Sequence, residues 1–583
     1  MPAAKVEVLA GAPASGKTQA LVERVAGLLD GGAAPGDVLV VTATSDGALE
    51  LAARLRSCLS CPAPRVVAWR RLAWELTGRP RVLSQPERSI LLADLRAQGF
   101  SPSQVSDALD LAGTAPACRD DAEGDVQPAE AACLKALLAA LDARGATLPE
   151  ALVSQAQSGM RAAPMAVSHI FVDDADAIPL RALRFLAGLA QAGVLMAGNL
   201  SGATAADSAA FLSLAGEDST RLLPKPQHAV HAASSQAVKW VDAAEEAAGV
   251  AALADRALAG SQAGAGPVVV AVPNRPWARR MAQAFSRAGV AACDAMAPAL
   301  ACDPRDPSGC APLRCFAALG LLADPRDLAS WRAWCSLGYS DLSCAAWRNL
   351  QDYAARCGLH AADALRRASE QVEAGATPFA GAQHLAARVR EADALAAAAR
   401  EAKRGFLLLD AVDPARTPAF RRLFALPGDD LAAMDAAALF RVAQQAAFDP
   451  ALGVLPFEAR GAQVYAGDAP ALDRRAYICT PGSLAGVHPH LLVAAGANAG
   501  LFDTAPLAGM LSLQAGSLVV SYIQRMPVEA ARRLGASFRR TRREAGEEVA
   551  LLQPSPALEA LGGEAPAVMS GQQYCSAVLG VRP

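Results

Sequence analysis

Val6-Glu7-Val8-Leu9-Ala10 runs straight into Gly11-Ala12-Pro13-Ala14-Ser15-Gly16-Lys17-Thr18, and Gln19-Ala20-Leu21-Val22-Glu23-Arg24-Val25 follows. The middle stretch is G-x-x-x-x-G-K-[ST] with no position missing. An apolar strand leads in and a helix-forming run leads out. Gly11 and Gly16 let the backbone turn tightly, so that successive N–H groups point at phosphate oxygens. Lys17 can reach the β- and γ-phosphates, and the Thr18 hydroxyl can ligate Mg²⁺. A helix beginning near Lys17 adds the positive end of its dipole. A chance glycine-rich turn is the alternative, and the two flanks weigh against it. The eight residues from Gly11 to Thr18 are therefore the candidate ATP-binding loop, which predicts an α/β, parallel-sheet fold.

The rest of the chain bounds what this loop serves. At 583 residues, roughly two to four domains are expected. The net charge is −3, so no global basic field advertises nucleic acid. Any DNA contact must rest on local clusters. The sequence is 53% hydrophobic, largely alanine, and mean hydropathy is only +0.21. No run is long and apolar enough to span a bilayer, which predicts no membrane partner. With the strand and loop starting at once, no secretory leader is expected and the predicted location is cytoplasmic. The 13 cysteines are scattered. Cys58-Leu59-Ser60-Cys61 has no second pair at zinc spacing, and Cys302, Cys310 and Cys315 fall in a loop-like stretch. Reduced thiols are the expected reading.

Alternation continues beyond the loop. Gly31 to Gly36 is a turn, and Asp37-Val38-Leu39-Val40-Val41-Thr42 is an apolar run of the buried parallel type. A helix over Ala48 to Leu55 and an extended run over Arg65 to Trp69 follow. From about 84 to 165 the pattern is helical, with a polar break at Arg119 to Asp125. Strands resume at His169-Ile170-Phe171-Val172-Asp173-Asp174 and at Gly193 to Asn199. A linker is expected over about 201–235. A second alternating unit holds Gly266 to Pro273, a helix from Trp277 to Ala288, and strand-like runs at Tyr477 to Thr480 and His490 to Gly496. The expected organisation is two RecA-like P-loop NTPase cores with parallel sheets, each carrying a helical insertion. The first core takes 1–83 and 166–234, with an insertion at 84–165. The second takes 235–310 and 441–583, with an insertion at 311–440.

An apolar strand ending in two carboxylates suits such a site. Asp173 can hold Mg²⁺, usually through water. Asp174 can orient or deprotonate the attacking water. An acidic strand end also arises by chance; downstream of a complete phosphate loop, the functional reading is preferred.

Taken in order, these motifs resemble the UvrD-like superfamily-1 DNA helicases, and most of all the AddB branch of helicase–nuclease subunits. Val38 to Thr44 is similar to the family strand whose threonines touch single-stranded DNA. Val66 to Ala73 occupies the place of a DNA-contacting helix start. Phe171 to Ala177 stands where the family has D-E-x-Q-D. Val241 to Ala247 resembles the acidic helix start before the second core. Val268 to Arg275 resembles the strand ending in an arginine near the γ-phosphate. Thr480 to Gly486, with Leu491 to Gly496, looks like T-x-x-S-x-K-G-L-E and its strand. Ala531 to Arg542 resembles the last motif, whose arginine acts as a finger; its register leaves Arg539, Arg540 and Arg543 open beside Arg542. The resemblance implies ATP and Mg²⁺ as cofactors. It implies Lys17, Asp174, Arg275 and Arg542 as catalytic residues, and Thr18 and Asp173 as metal-holding ones. Single-stranded DNA or DNA ends are the implied partner, with a helicase–nuclease chain as a further one.

The chain departs from that pattern at several points. Asp174 is one methylene shorter than the family glutamate, and Asp176 replaces a glutamine. Gly198-Asn199-Leu200-Ser201-Gly202 lacks the acid and glutamine of G-D-x-x-Q. Ala485-Gly486-Val487-His488 lacks the lysine and glutamate of K-G-L-E. No carboxylate–x–Lys site or four-cysteine frame marks a nuclease before Pro583. The expected function is ATP-dependent translocation on, or unwinding of, DNA in recombination and repair. The alternative is a non-motor scaffold subunit that binds DNA or a partner chain. Whether ATP is turned over stays open at this level, as does a P-loop enzyme unrelated to DNA, which the motif order argues against.

Other features weigh less. Arg539-Arg540-Thr541-Arg542-Arg543 reads as a finger, a phosphate patch or a solvated helix face. Trp69, Trp74 and Trp277 read as core before base-stacking platforms. His169 and His488 read as ordinary polar residues.

Overall fold

The computed structural model describes residues 5–11, 15–114, 128–160, 167–199, 211–215, 219–223, 232–260, 267–294, 300, 303–307, 309–339, 342, 345–402, 434–448, 476–481, 489–502, 515–558 and 568–579. The chain divides into two compact units. One comprises Met1–Trp69, Met165–Pro298 and Pro450–Pro583; the other comprises Arg70–Pro164 and Ala299–Asp449.

The first unit holds two parallel sheets, each the centre of an α/β core. The first sheet contains β1 (Lys5–Gly11), β2 (Val38–Thr42), β3 (Arg65–Ala68), β4 (Val167–Val172), β5 (Ala190–Asn199) and β6 (Thr220–Leu222), in the order β3-β2-β4-β5-β1-β6. All five pairings are parallel. β2 is buried at every position, which is why it reads as an unbroken apolar run rather than an alternating one. Helix α1 (Lys17–Asp30) covers this sheet with Leu21, Val22, Val25 and Leu29, which pack with Leu9, Val38, Val40 and Phe171. The spacing is that of one helix face, and each such buried side chain is worth ~1.5–3 kcal/mol.

The second sheet contains β7 (Ala232–Trp240), β8 (Val268–Ala271), β9 (Ala292–Asp294), β10 (Ala476–Cys479), β11 (Leu491–Ala494), β12 (Ala515–Ile523) and β13 (Val568–Ser570), in the order β9-β10-β8-β11-β12-β7-β13, again all parallel. Helices α2 (Ala243–Gly260) and α3 (Arg275–Arg287) pack on it through Ala247, Val250, Ala251, Trp277, Met281 and Phe285.

Two expectations change here. The linker expected over 201–235 contains β6 and the start of β7. The arginine run is not on a helix: Phe538–Glu544 is a strand. It pairs antiparallel with Glu547–Leu552, which pairs with Arg525–Pro527, forming a separate three-stranded sheet. An exposed strand carries no apolar alternation, so its sequence looked like a solvated helix.

The second unit is mostly helical, with two short strands, Arg81–Val82 and Ala146–Thr147, paired parallel. Its core includes Phe316, Leu319, Trp331, Trp334, Leu350 and Leu365. Arg81 is buried there. Its Nε donates to Asp327 at 3.0 Å, Nη1 to Glu87 at 3.2 Å and Nη2 to Ser330 at 3.3 Å. Asp94 takes Arg144 at 2.6 Å and Arg332 at 2.7 Å. Residues far apart in sequence are thus tied by paired, largely buried charges. The Arg119 to Asp125 break and Cys302 lie outside the described residues.

Candidate nucleotide-binding site

β1 ends at Gly11 and α1 begins at Lys17. A Cβ on Gly11 would come within 2.5 Å of Ser15 Oγ, so a side chain there collides with the loop. Gly16 has φ +83 and caps α1 in the left-handed region, which L side chains rarely adopt. Both glycines of the motif are therefore set by geometry. Ala12, Pro13 and Ala14 lie outside the described residues. Lys17 is 8% exposed, and its Nζ donates to Ser15 Oγ at 3.2 Å and to the Gly11 carbonyl at 3.4 Å. Thr18 is half-buried on the first turn of α1.

The acidic strand end faces this lysine electrostatically. Burial pushes the Lys17 pKa down, and Asp176, then Asp173, then Asp174 pull it back toward the charged form. Asp173 follows β4, is 7% exposed, and its N–H donates to the Val41 carbonyl at 2.8 Å. Asp174 is exposed and has φ 53, ψ 40, in the left-handed region. Short polar residues tolerate that conformation better than longer ones, which is a local reason for aspartate here. A 3₁₀ turn, Ala175–Ala177, then carries the half-buried Asp176. A Cβ on Gly198 would come 3.2 Å from the Asp176 nitrogen and 2.9 Å from the Phe211 ring, so glycine lets β5 and this turn approach. Asp176 counted in the sequence only as a lost glutamine; it is the carboxylate with the largest pull on Lys17. Its offset from the strand end was the available signal.

Topology explains the convergence. β5 lies between β1 and β4, with Gly11 opposite Asn199 and Val172 opposite Met196. From β1 the chain crosses to β2 and β3 on one side, and later reaches β6 on the other. Ligands of open α/β sheets bind at such a switch point, outside the carboxyl ends of the strands. Leu200, Ser201 and Gly202 of the G-D-x-x-Q-like stretch lie outside the described residues.

The residues assigned to the second core are less gathered. Arg275 opens α3 just beyond β8 and is exposed; Asn274 caps that helix, its Oδ1 accepting from Trp277 N at 3.1 Å. Arg542 stands exposed on the three-stranded sheet, its Nε 3.8 Å from Glu544 Oε1, and is not on the parallel sheet. The arginine that follows the carboxyl end of β12 is Arg525, whose guanidinium pairs with Glu544. Its place two residues after the mostly apolar run Val519 to Ile523 was its sequence signal. Gly482 to His488, including the K-G-L-E-like element, lies outside the described residues.

The acidic helix start has a structural role. Asp242 Oδ1 accepts from Ala244 N and Glu245 N at 2.9 and 3.0 Å, capping α2. Glu246 turns inward and is fully buried. It accepts from Trp277 Nε1 at 2.8 Å, Gly496 N at 2.8 Å and Ser521 Oγ at 2.5 Å. Burial raises its pKa to about 7, against the pull of those three donors and of Arg280. The Thr42 hydroxyl donates to the Thr44 carbonyl at 2.8 Å and the Thr44 hydroxyl accepts from Gly47 N at 3.0 Å, so both serve local structure. Trp69, Trp74 and Trp277 are buried, consistent with packing. His169 is half-buried on β4; His488 lies outside the described residues.

Residues 2–90 match the family model of the UvrD/REP helicase N-terminal domain. The match covers the phosphate loop, β2, β3 and the helix after β3. No curated relative matches the chain. Among solved structures, the chain is similar to the helicase domain of Hef from Pyrococcus furiosus, at 12% identity over 87% of this chain and 94% of that one, with a TM-score of 0.19. No described helix is long and apolar enough to cross a membrane.

Proposed function

We propose that this chain is an ATP-binding, UvrD/AddB-like, helicase-related protein that acts on single-stranded DNA or DNA ends in recombination and repair. One observation carries the reading: a complete phosphate loop sets a buried Lys17 against the charges of Asp173, Asp174 and Asp176, which follow a strand of the same parallel sheet. The UvrD/REP match over residues 2–90, which include the phosphate loop, supports it.

The residues present fit Mg²⁺ and ATP. Gly11 and Gly16 shape the cradle that a Cβ would fill or strain. Mg²⁺ keeps several waters and needs only one or two protein ligands, which Thr18 and Asp173 offer. When bound, the metal nucleotide supplies the transferable phosphoryl group and the charge that neutralises it. Lys17 holds phosphate oxygens as a point charge. Asp174, exposed at the strand end, accepts a proton from water. Arg275 is the second core's candidate for stabilising developing charge.

A specific observation favours the second reading, a non-motor scaffold subunit. Arg542, the assigned finger, stands exposed on the antiparallel sheet and not at a strand end of the parallel one. One measurement separates the readings: ATP hydrolysis with and without single-stranded DNA, for the wild type and Lys17→Ala. DNA-stimulated turnover that vanishes in the variant supports the motor. ATP binding without turnover supports the scaffold, and no ATP binding overturns the ATP-binding reading.

A further inference from the structure

The strand Phe538–Glu544 and its partner Glu547–Leu552 form a hairpin with a two-residue turn, the inner strand pairing on its other side with Arg525–Pro527. Ala545 and Gly546 at the turn both have positive φ, 48 and 91, the signature of a tight primed turn that keeps the ribbon twisted and stiff. Phe538–Glu544 is the outer strand of its sheet, so one edge faces solvent. Arg539 through Arg543 are exposed without a break.

The charge here is opposite in sign to that of the chain. Seven arginines and four glutamates fall between Arg525 and Glu548, against an overall charge of −3. All seven cations are arginine, whose planar fork matches phosphate oxygens in pairs. Among the described residues, Arg539, Arg540 and Arg543 make no ion pair. The glutamates temper one end of the strand, with Glu548 opposite Arg543 and Glu547 opposite Glu544.

Strand geometry sets the display. Arg540 and Arg542 share one face, Thr541 and Arg543 the other, and a register shift sets Arg539 off the ladder. Same-face neighbours are about 6.8 Å apart along a strand, close to two phosphate steps of ~3.4 Å along one strand of a duplex. A charged edge is a common guard against strand pairing, and one or two lysines suffice for that. Four arginines in five residues, exposed on both faces, exceed that need.

We infer that this arginine ribbon is a docking surface for the phosphate backbone of duplex DNA, separate from the nucleotide loop. It rests on the proposed function only for the choice of DNA as the polyanion.

The test uses the full chain, without nucleotide. Fluorescence anisotropy with a labelled duplex of about 20 base pairs is followed over roughly 50 to 300 mM NaCl. In the variant with Arg539→Gln, Arg540→Gln and Arg543→Gln, affinity at low salt falls at least about tenfold, and the slope of log K against log salt shrinks by about 2 to 3. The matching triple lysine variant keeps most of the slope, because charge rather than fold is read. Unchanged affinity and slope in the glutamine variant overturn the proposal. So does an equal loss in the lysine variant. A wild-type chain that binds no nucleotide yet keeps its duplex slope refutes the nucleotide reading and leaves this surface standing.

Discussion

The indole nitrogen of Trp277 donates to Glu246 Oε2 at 2.8 Å, which joins α3 to α2 at the carboxyl end of the second sheet. Gly496 and Ser521 donate to the other oxygen, and Ser521 accepts from Trp240 Nε1 at 2.9 Å. One buried carboxyl thus gathers groups from two helices and two strand ends. The folded-state pKa is raised from 4.5 to about 7, so the folded chain holds a proton that the unfolded chain releases. Its contribution to stability is complete below about pH 4.5 and is lost as pH rises through about 7, by on the order of 3 kcal/mol. Glu246→Gln removes this titration. Thermal melts from pH 5 to 8 therefore show the wild type losing stability relative to the variant as pH rises. Parallel curves would mean that Glu246 stays ionised throughout.

Gly249 faces the Trp240 ring, and a Cβ there would come within 2.0 Å of it; Gly571 presses the same ring, with a Cβ at 2.3 Å. Gly249→Ala gains helix propensity of about 1 kcal/mol. Overpacking costs ~1–3 kcal/mol or more, and a ring blocked on two sides has little room to yield. The variant is destabilised on balance, by an amount chemical unfolding resolves. Gly27→Ala, which meets nothing within 4 Å on an exposed face of α1, is neutral or stabilising.

Arg81 engages all its donors in the second unit: Asp327, Glu87, Ser330 and the Val82 carbonyl. Burial opposes its charge, but Asp327 and Glu87 outweigh that and hold it firmly protonated. Arg81→Ala leaves two carboxylates buried without their cation, at a cost of ~3–5 kcal/mol. Arg81→Lys restores little, since one ammonium cannot replace a fork that reaches both acids. Equal stability of Arg81→Lys and wild type in urea would show that only the charge matters.

Legibility followed burial and locality. Gly11, Gly16, Lys17 and the strand before Asp173 were readable because a phosphate loop is a contiguous motif and a buried parallel strand is an unbroken apolar run. Glu246 was readable only as part of an acidic helix start. Its partners lie at 277, 496 and 521, and spacing within Val241 to Ala247 does not reveal which carboxylate turns inward. The arginine ribbon was opaque because Phe538–Glu544 is exposed on both faces, so no period of two was written into it. Arg542 was assigned from order along the chain, and the antiparallel sheet that carries it is invisible to order alone.

Lys17 is a buried cation whose folded pKa is lowered by burial, and the proposed function gives it the task of holding phosphate. Lys17→Met keeps the aliphatic stem and removes the charge. Without nucleotide, its melting temperature stays close to that of the wild type, because shedding a buried charge offsets the lost attraction of Asp176, Asp173 and Asp174. With nucleotide the two separate. A ligand at 100 times its Kd stabilises the wild type by about 2.7 kcal/mol, and the variant gains almost nothing. Differential scanning fluorimetry with and without Mg²⁺-ADP reads both effects on one plate. A nucleotide-induced shift of equal size in wild type and variant would mean that the loop does not hold the phosphates. A variant already destabilised without nucleotide would mean that the contacts of Lys17 with Ser15 and Gly11 are structural.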